Sequence, residues 1–310
     1  MFYRAFGQFS GSVRTGVLIV AGPTASGKTE AALALAQRFD AEIVGADSRQ
    51  IYRGMDVGTA APTAAQRSLV PHHLVGFLDP SQRYSAARFV NDAIEAIQNI
   101  HARGKRAIVA GGTGFYIRAL TGGIELAAAH DETLRLRLAR EARMHDAAFL
   151  HAWLSVRDAR RAAAIVPADT YRVLRALEVA LAPAQTHLRT QPLRTLLTAG
   201  IPFAKVFLEI DPAVLHERIV QRTRTMLEGG LLEEAERIGA QAVAADAVGY
   251  PQALAYLEGR CTRAELCSAL VRATRRYAKR QQSWFKREAQ TLHLRADALE
   301  AAAREKLAWV

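Results

Sequence analysis

Cysteine is almost absent from this chain of 310 residues: Cys261 and Cys267 are the only two, and no CxxC pair exists. That counts against a disulfide framework and a thiolate zinc site, and it makes a reducing cytoplasm the expected compartment. No apolar run approaches the ~20 residues of a membrane span, so no membrane contact is expected. The opening MFYRAFGQFSGSVRTG lacks the apolar stretch and cleavage site of a signal peptide, and residues 1–15 read as a flexible extension. Acidic residues are in deficit, with 30 Asp and Glu against 41 Lys and Arg, a formal net charge of +11. A basic excess of this size suits a polyanionic partner, although a solvated arginine-rich surface would give the same number. Half the residues are hydrophobic and 23% are charged, the balance of a globular protein rather than a disordered one.

Hydrophobic periodicity organises the rest. Val17 to Val20 is a short apolar run ending near glycine and reads as a buried strand; Thr29 to Phe39 has helical character. Ala41 to Ala46 is a second strand with Asp47 just beyond it, Ser85 to Arg103 a helix, and Arg106 to Ala110 a third strand followed by Gly111-Gly112-Thr113-Gly114. Lys205 to Ile210 returns to strand character, Asp211-Pro212 opens a further helix, and the tail from about Thr262 reads as one long helix. Strands alternating with helices predict an α/β fold, a phosphate-loop core on a parallel sheet. Residues 126–200 are helical and rich in Ala, Leu and Arg, so they read as an insertion between core segments 16–125 and 201–310.

The segment GPTASGKT, residues 22–29, fits G-x-x-x-x-G-K-[ST] between a strand and a helix, the context this motif requires. Glycines there turn backbone N–H groups towards phosphate oxygens, and the helix N-terminus adds a favourable dipole. Gly22, Thr24, Ala25, Ser26, Gly27, Lys28 and Thr29 are therefore the candidate phosphate site, with the Thr29 hydroxyl placed to ligate Mg²⁺. The motif does not say which phosphate it holds.

In a doubly wound sheet, ligands sit beyond the carboxyl ends of the strands, so Asp47 is expected near the phosphates. There it would act as a general base or orient a metal's water, with turn capping as the alternative. The strand Arg106 to Ala110 ends in a glycine turn where a nucleotide triphosphatase would place a metal-binding acid. Thr113 brings a hydroxyl and no charge, which argues against simple ATP hydrolysis; a tight turn that merely needs glycine is the plainer reading.

Taken in order, GPTASGKT, ADSRQIYRGMDVGTAAP, PHHLVGFLDPSQRYSAARF, VAGGTGFYIRALTGG, VGYPQALAYLEG and ATRRYAKRQQSWFKR resemble the tRNA dimethylallyltransferase family, also called tRNA isopentenyltransferases. The likeness spans roughly residues 16–287. It implies that the phosphate is the diphosphate of dimethylallyl diphosphate and that the acceptor is N6 of adenosine 37 in tRNAs reading codons that start with U. By the same resemblance Asp47 is the base and Thr113 touches the reacting centre. Ser26, Lys28 and Thr29 hold diphosphate and Mg²⁺, with Arg222 helping. It further implies tRNA contacts from Asp47, Ser48, Arg49, Gln50, Thr113, Arg135, Tyr171, Arg172, Arg175, Gly249 and Tyr250, and a monomer in the cytoplasm. The insertion departs from the family pattern at Arg157-Asp158 and Ala168-Asp169, and Pro251 stands where the family has a basic residue.

Residues 272–287 concentrate arginine and lysine among Tyr277, Trp284 and Phe285. Arg276, Lys279 and Arg280 are read as phosphate contacts, and Trp284 as a core residue on a stripe with Leu266, Leu270 and Tyr277. His72 and His73 lack acidic or cysteine companions at metal spacing, which leaves packing or RNA contact. A small-metabolite kinase, a relative that prenylates free AMP, and a non-catalytic RNA-binding protein are the rival readings.

Overall fold

A computed structural model describes residues 16–124, 132–182 and 194–310. Six strands form one parallel sheet in the order β3-β2-β4-β1-β5-β6. They are β1 (Val17–Ala21), β2 (Ala41–Gly45), β3 (His72–His73), β4 (Arg106–Gly111), β5 (Phe203–Leu208) and β6 (Thr291–Leu294). Every residue of β1 and β2 is buried, because helices cover both faces of such a sheet and a continuous apolar run replaces alternation.

Leu18, Val20, Ile43, Ile108, Val206 and Leu208 share one core with Leu35 of the helix Lys28–Arg38, with Phe39 just past its end and with Leu307 and Trp309 at the C-terminus. Strand alternation turns Phe207 the other way, where its ring stacks on Phe285 of the helix Arg263–Phe285 at 4.9 Å. That long helix starts at a capping box, with Thr262 accepting from Glu265 N–H and Glu265 accepting from Thr262 N–H. Asp211 caps Pro212–Glu228 and Ser85 caps Ala86–Ala102.

Two short edge strands, β3 and β6, were not expected. Two residues of β3 carry no periodic signal, and β6 follows a basic helix that masks it. The long helix therefore ends at Phe285, and the chain continues through β6 into the helix Leu299–Leu307.

Among the described residues the chain divides into two compact units, 16–124 with 194–310, and 132–182. Residues 194–200, expected in the insertion, belong to the first: Leu196 is fully buried and its N–H donates to Leu120 C=O at 2.8 Å. The second unit holds Glu132–Met144, Ala147–Arg157, Ala159–Ala164 and Thr170–Leu181 around Leu138, Leu150, Leu154, Val173 and Leu177. Asp158 and Asp169, the two departures from the family pattern, are N-caps that accept from Arg161 and Arg172 N–H. The expected extension 1–15 lies outside the described residues. Among the described residues no helix is long and apolar enough to cross a membrane.

Candidate active site

Register aligns the carboxyl ends of three neighbouring strands: Gly45 of β2 pairs Ala110 of β4, and Gly111 of β4 pairs Ala21 of β1. The phosphate loop leaves β1, the glycine turn leaves β4, and Asp47 follows β2. The turn thus lies between the two chemical elements.

The phosphate loop is tightly built. Gly27 takes φ +88° and Ala25 φ +64°, the left-handed backbone that turns N–H groups inward. A side chain on Gly22 would begin 2.7 Å from Ser26 Oγ. Ser26 Oγ is buried without a hydrogen-bond partner, a hydroxyl left free for a phosphate oxygen or a cation. Lys28 is buried, and that burial lowers its ammonium pKa to about 8, against the opposing pull of Asp47; Arg222 lowers it further. The Thr24 backbone N–H, by contrast, is already taken by Gln281 Oε1 at 2.8 Å and cannot serve as a diphosphate donor.

Two arginines one helical turn apart line the same cavity as this loop, and one of them bonds to it. Arg218 donates to Ser26 C=O at 3.1 Å, and Arg222 donates to Thr59 C=O at 3.0 Å. Burial lowers the Arg222 pKa, while Asp47 and Glu30 oppose the change. Sequence reasoning named Arg222 and missed Arg218; their i, i+4 spacing on Pro212–Glu228 was the available signal. Together with Lys28, Thr29, Pro62 and Met226 they line a cavity of about 1660 Å³.

On the β2 side, Asp47 Oδ1 accepts from Arg49 N–H at 2.9 Å, which fixes the carboxylate. Thr113 Oγ1 accepts from Ser48 N–H at 2.9 Å, and Thr113 N–H donates to Ala46 C=O at 3.1 Å. A side chain on Gly111 would begin 2.1 Å from Ala46 C=O, so glycine is what lets the two strand ends meet. Arg49 is held by Asp246 at 2.9 and 3.0 Å, and the Gln50 amide donates to Thr59 and Ala60 C=O at 3.2 and 3.1 Å.

Tyr277, read from sequence as part of a buried stripe, lies in the site: its hydroxyl sits beside Thr113, and burial followed by the Asp47 charge drives its pKa far upward. Trp284, read as core, packs its ring on Gly114, with the Arg118 guanidinium 4.2 Å above the ring. Arg276, Lys279 and Arg280 are exposed. Arg276 and Lys279 join Arg272 and Arg275 along a groove of about 500 Å³ floored by Leu215 and Ile219.

Tyr250 does not face solvent. It is fully buried, its hydroxyl donates to Glu234 at 2.7 Å, and Gly58 lies against its ring. Glu234 in turn accepts from Gly58 and Val57 N–H at 2.7 and 3.0 Å, so Tyr250 and the buried Gly249 brace the start of Asp56–Thr59 rather than offering a surface to RNA. His73 pairs with Glu42 at 2.7 Å and His72 with Val70 C=O at 2.8 Å, both packing contacts. In the helical unit Tyr171 is 75% exposed, Arg135 is half-buried, Arg172 pairs with Asp169 and Arg175 with Glu178.

Among the described residues no cluster of His, Cys, Asp and Glu could cage a metal. A magnesium ion held chiefly by substrate phosphates needs no such cage, and the free Ser26 hydroxyl beside Thr29 fits that mode.

Two family models match the chain. Residues 50–288 match the IPP transferase model and residues 15–70 the isopentenyl transferase model. A tRNA dimethylallyltransferase of Anaeromyxobacter dehalogenans (strain 2CP-C) is 45% identical over 276 residues, covering 88% of this chain and 92% of that protein. One from Geobacter sulfurreducens is 39% identical over 287 residues, covering 91% and 92%. The crystal structure of a Bacillus halodurans tRNA isopentenylpyrophosphate transferase superposes with a TM-score of 0.68 at 34% identity, over 95% of this chain and 97% of that one. A eukaryotic dimethylallyltransferase solved acting on tRNA gives 0.73 at 25% identity, over 93% and 76%. With a model match over most of its length, the chain belongs to the IPP transferase family and is a prenyltransferase.

Proposed function

We propose that the chain transfers the dimethylallyl group of dimethylallyl diphosphate to N6 of adenosine 37, in tRNAs reading codons that start with U. The products are N6-(dimethylallyl)adenosine and diphosphate. One observation carries the reading: a phosphate loop faces a backbone-held carboxylate, Asp47, across a glycine turn where a nucleotide triphosphatase would carry a metal-binding acid. The printed functions of the relatives support tRNA as acceptor.

Displacement of diphosphate builds negative charge on the leaving oxygens. Lys28, Arg218, Arg222 and the N–H groups of the Gly22–Gly27 loop, apart from those of Thr24 and Ser26, which are bonded to Gln281 and Pro23, stabilise that charge where it develops. The exocyclic amine of adenine is a weak nucleophile, and Asp47 takes its proton as the N–C bond forms, while Thr113 orients the amine. Ser26 and Thr29 would hold Mg²⁺, which offsets phosphate charge when bound.

The base must leave its stack to reach the prenyl carbon, and an anticodon loop makes that less costly than a duplex. Ser48, Arg49 and Gln50 lie beside the site, and Arg276, Lys279 and Arg280 track RNA phosphates from the exposed side of their helix. Arg135, Tyr171, Arg172 and Arg175 are the contacts proposed for the helical unit, described over residues 132–182. The working form is proposed to be a cytoplasmic monomer.

A labelled transfer assay tests the reading. Protein, Mg²⁺ and dimethylallyl diphosphate are mixed with unmodified anticodon stem-loop RNA, with AMP and ATP run in parallel. Label on the RNA, none on AMP and no ATP consumed is the expected result. Label on AMP moves the acceptor to free nucleotide, and ATP turnover without transfer overturns the reading.

A further inference from the structure

The helix Arg263–Phe285 touches the glycine turn with three side chains, Tyr277, Gln281 and Trp284, spaced i, i+4, i+7 on one face. Tyr277 reaches Thr113, Gln281 reaches Gly112, and Trp284 covers Gly114. This explains the run of glycines after β4: a side chain on Gly112 would begin 2.1 Å from Gln281 Nε2, and one on Gly114 2.2 Å from the Trp284 ring.

Gln281 does more than cover the turn. It is 5% exposed, and its single amide is used at both ends. Oε1 accepts from Thr24 N–H of the phosphate loop at 2.8 Å, and Nε2 donates to Gly112 C=O at 3.0 Å. One planar group thus joins the loop leaving β1 to the turn leaving β4. From the turn the connection continues through Thr113 to Ala46 and Ser48, on either side of Asp47. Only glutamine at this length offers an acceptor and a donor on one rigid group: glutamate lacks the donor, and methionine lacks the donor and has only a weak thioether acceptor.

We propose that Gln281 is a positioning residue for the transfer, its amide setting the distance between the diphosphate held by the phosphate loop and the amine held between Asp47 and Thr113. The proposal rests on the prenyl-transfer reading. It adds that the register of leaving group and nucleophile comes from a helix far away in sequence. A displacement of about 1 Å between reacting groups can cost about 100-fold in rate without weakening either binding step.

The test compares wild-type protein with Gln281→Met, an apolar replacement of similar length, and Gln281→Glu, which keeps the acceptor for Thr24 and loses the donor to Gly112. Each is assayed for melting temperature, for affinity towards inorganic diphosphate with Mg²⁺ by calorimetry, and for kcat and KM with dimethylallyl diphosphate and stem-loop RNA. For Gln281→Met, diphosphate affinity and RNA KM stay within about threefold while kcat falls about 10- to 100-fold, a loss confined to the transition state. A kcat within about twofold of wild type overturns the proposal. So does a loss explained by unfolded protein, or failure of both variants to fold, since either would make Gln281 a stability element. Should Gln281→Met alone fail to fold, Gln281→Glu decides by the same split between kcat and RNA KM. A wild-type chain that transfers nothing would instead sink the functional reading.

Discussion

Thr113 Oγ1 accepts the backbone N–H of Ser48 at 2.9 Å, across the ends of two adjacent parallel strands. The contact fastens the glycine turn to the segment that carries Asp47, whose carboxylate is in turn fixed by Arg49 N–H. A carboxylate and a hydroxyl from different strands therefore share one rigid backbone frame, which is what transition-state positioning needs. The consequences are separable by mutation.

Asp47→Asn keeps the shape and the acceptor for Arg49 N–H but removes the basic oxygen. Turnover should fall by about two or more orders of magnitude, as loss of a general base does. Stem-loop affinity, read by filter binding, should stay near wild type. Unchanged turnover would remove Asp47 from the role of base.

Lys28 gives a pH prediction with two opposite signs. Its folded pKa is about 8 against an ordinary 10.5, so between those values the unfolded chain holds a proton the folded chain has lost. Stability of the ligand-free protein therefore rises with pH across that window, and the cost of burying the charge is complete below pH 8. Lys28→Met should melt at a higher temperature than wild type at pH 7, with the gap closing above pH 8, while transfer is lost. Diphosphate affinity of the wild type should weaken above about pH 8, where the ammonium deprotonates; calorimetry at pH 7 and pH 9 reads this directly.

Tyr250→Phe deletes a hydroxyl that donates to the buried carboxylate of Glu234. A hydrogen bond to a charged group is worth about 1.5–3 kcal/mol, so denaturant unfolding should show a loss of that order. Stem-loop affinity and its salt dependence should not change. A shifted salt slope at constant stability would return Tyr250 to the RNA surface.

Neutralising Arg276, Lys279 and Arg280 to glutamine should weaken stem-loop binding and flatten the plot of log affinity against log salt by up to about 2–3 units. The three side chains are exposed, so the melting temperature should hold. A slope that does not move would make them a solvated face.

The sheet and its phosphate loop were legible in sequence because their signals are local. VLIVAGPTASGKT is a buried strand, a glycine loop and a helix start in consecutive residues, and Asp47 follows its strand by two positions. The edge strands β3 and β6 were not legible, since two to four residues carry no usable period. Tyr250 misled for another reason. Its place among the RNA contacts came from the family resemblance, which carries no information on burial, and only Glu234, buried beneath it, makes it core.

By itself the sequence determined the phosphate loop, the parallel α/β core, the basic helix and a carboxylate at position 47 just past its strand, because each is written in neighbouring residues and in the period of a strand or helix. Tertiary structure alone decided that Gln281 joins Thr24 to Gly112, that Tyr277 reaches Thr113 and that Arg218 leans on Ser26. Those partners lie 257 and 169 positions from Gln281, and 192 apart for Arg218 and Ser26. Over such separations no periodicity survives, and packing of the long helix against the strand ends is what selects the pairs.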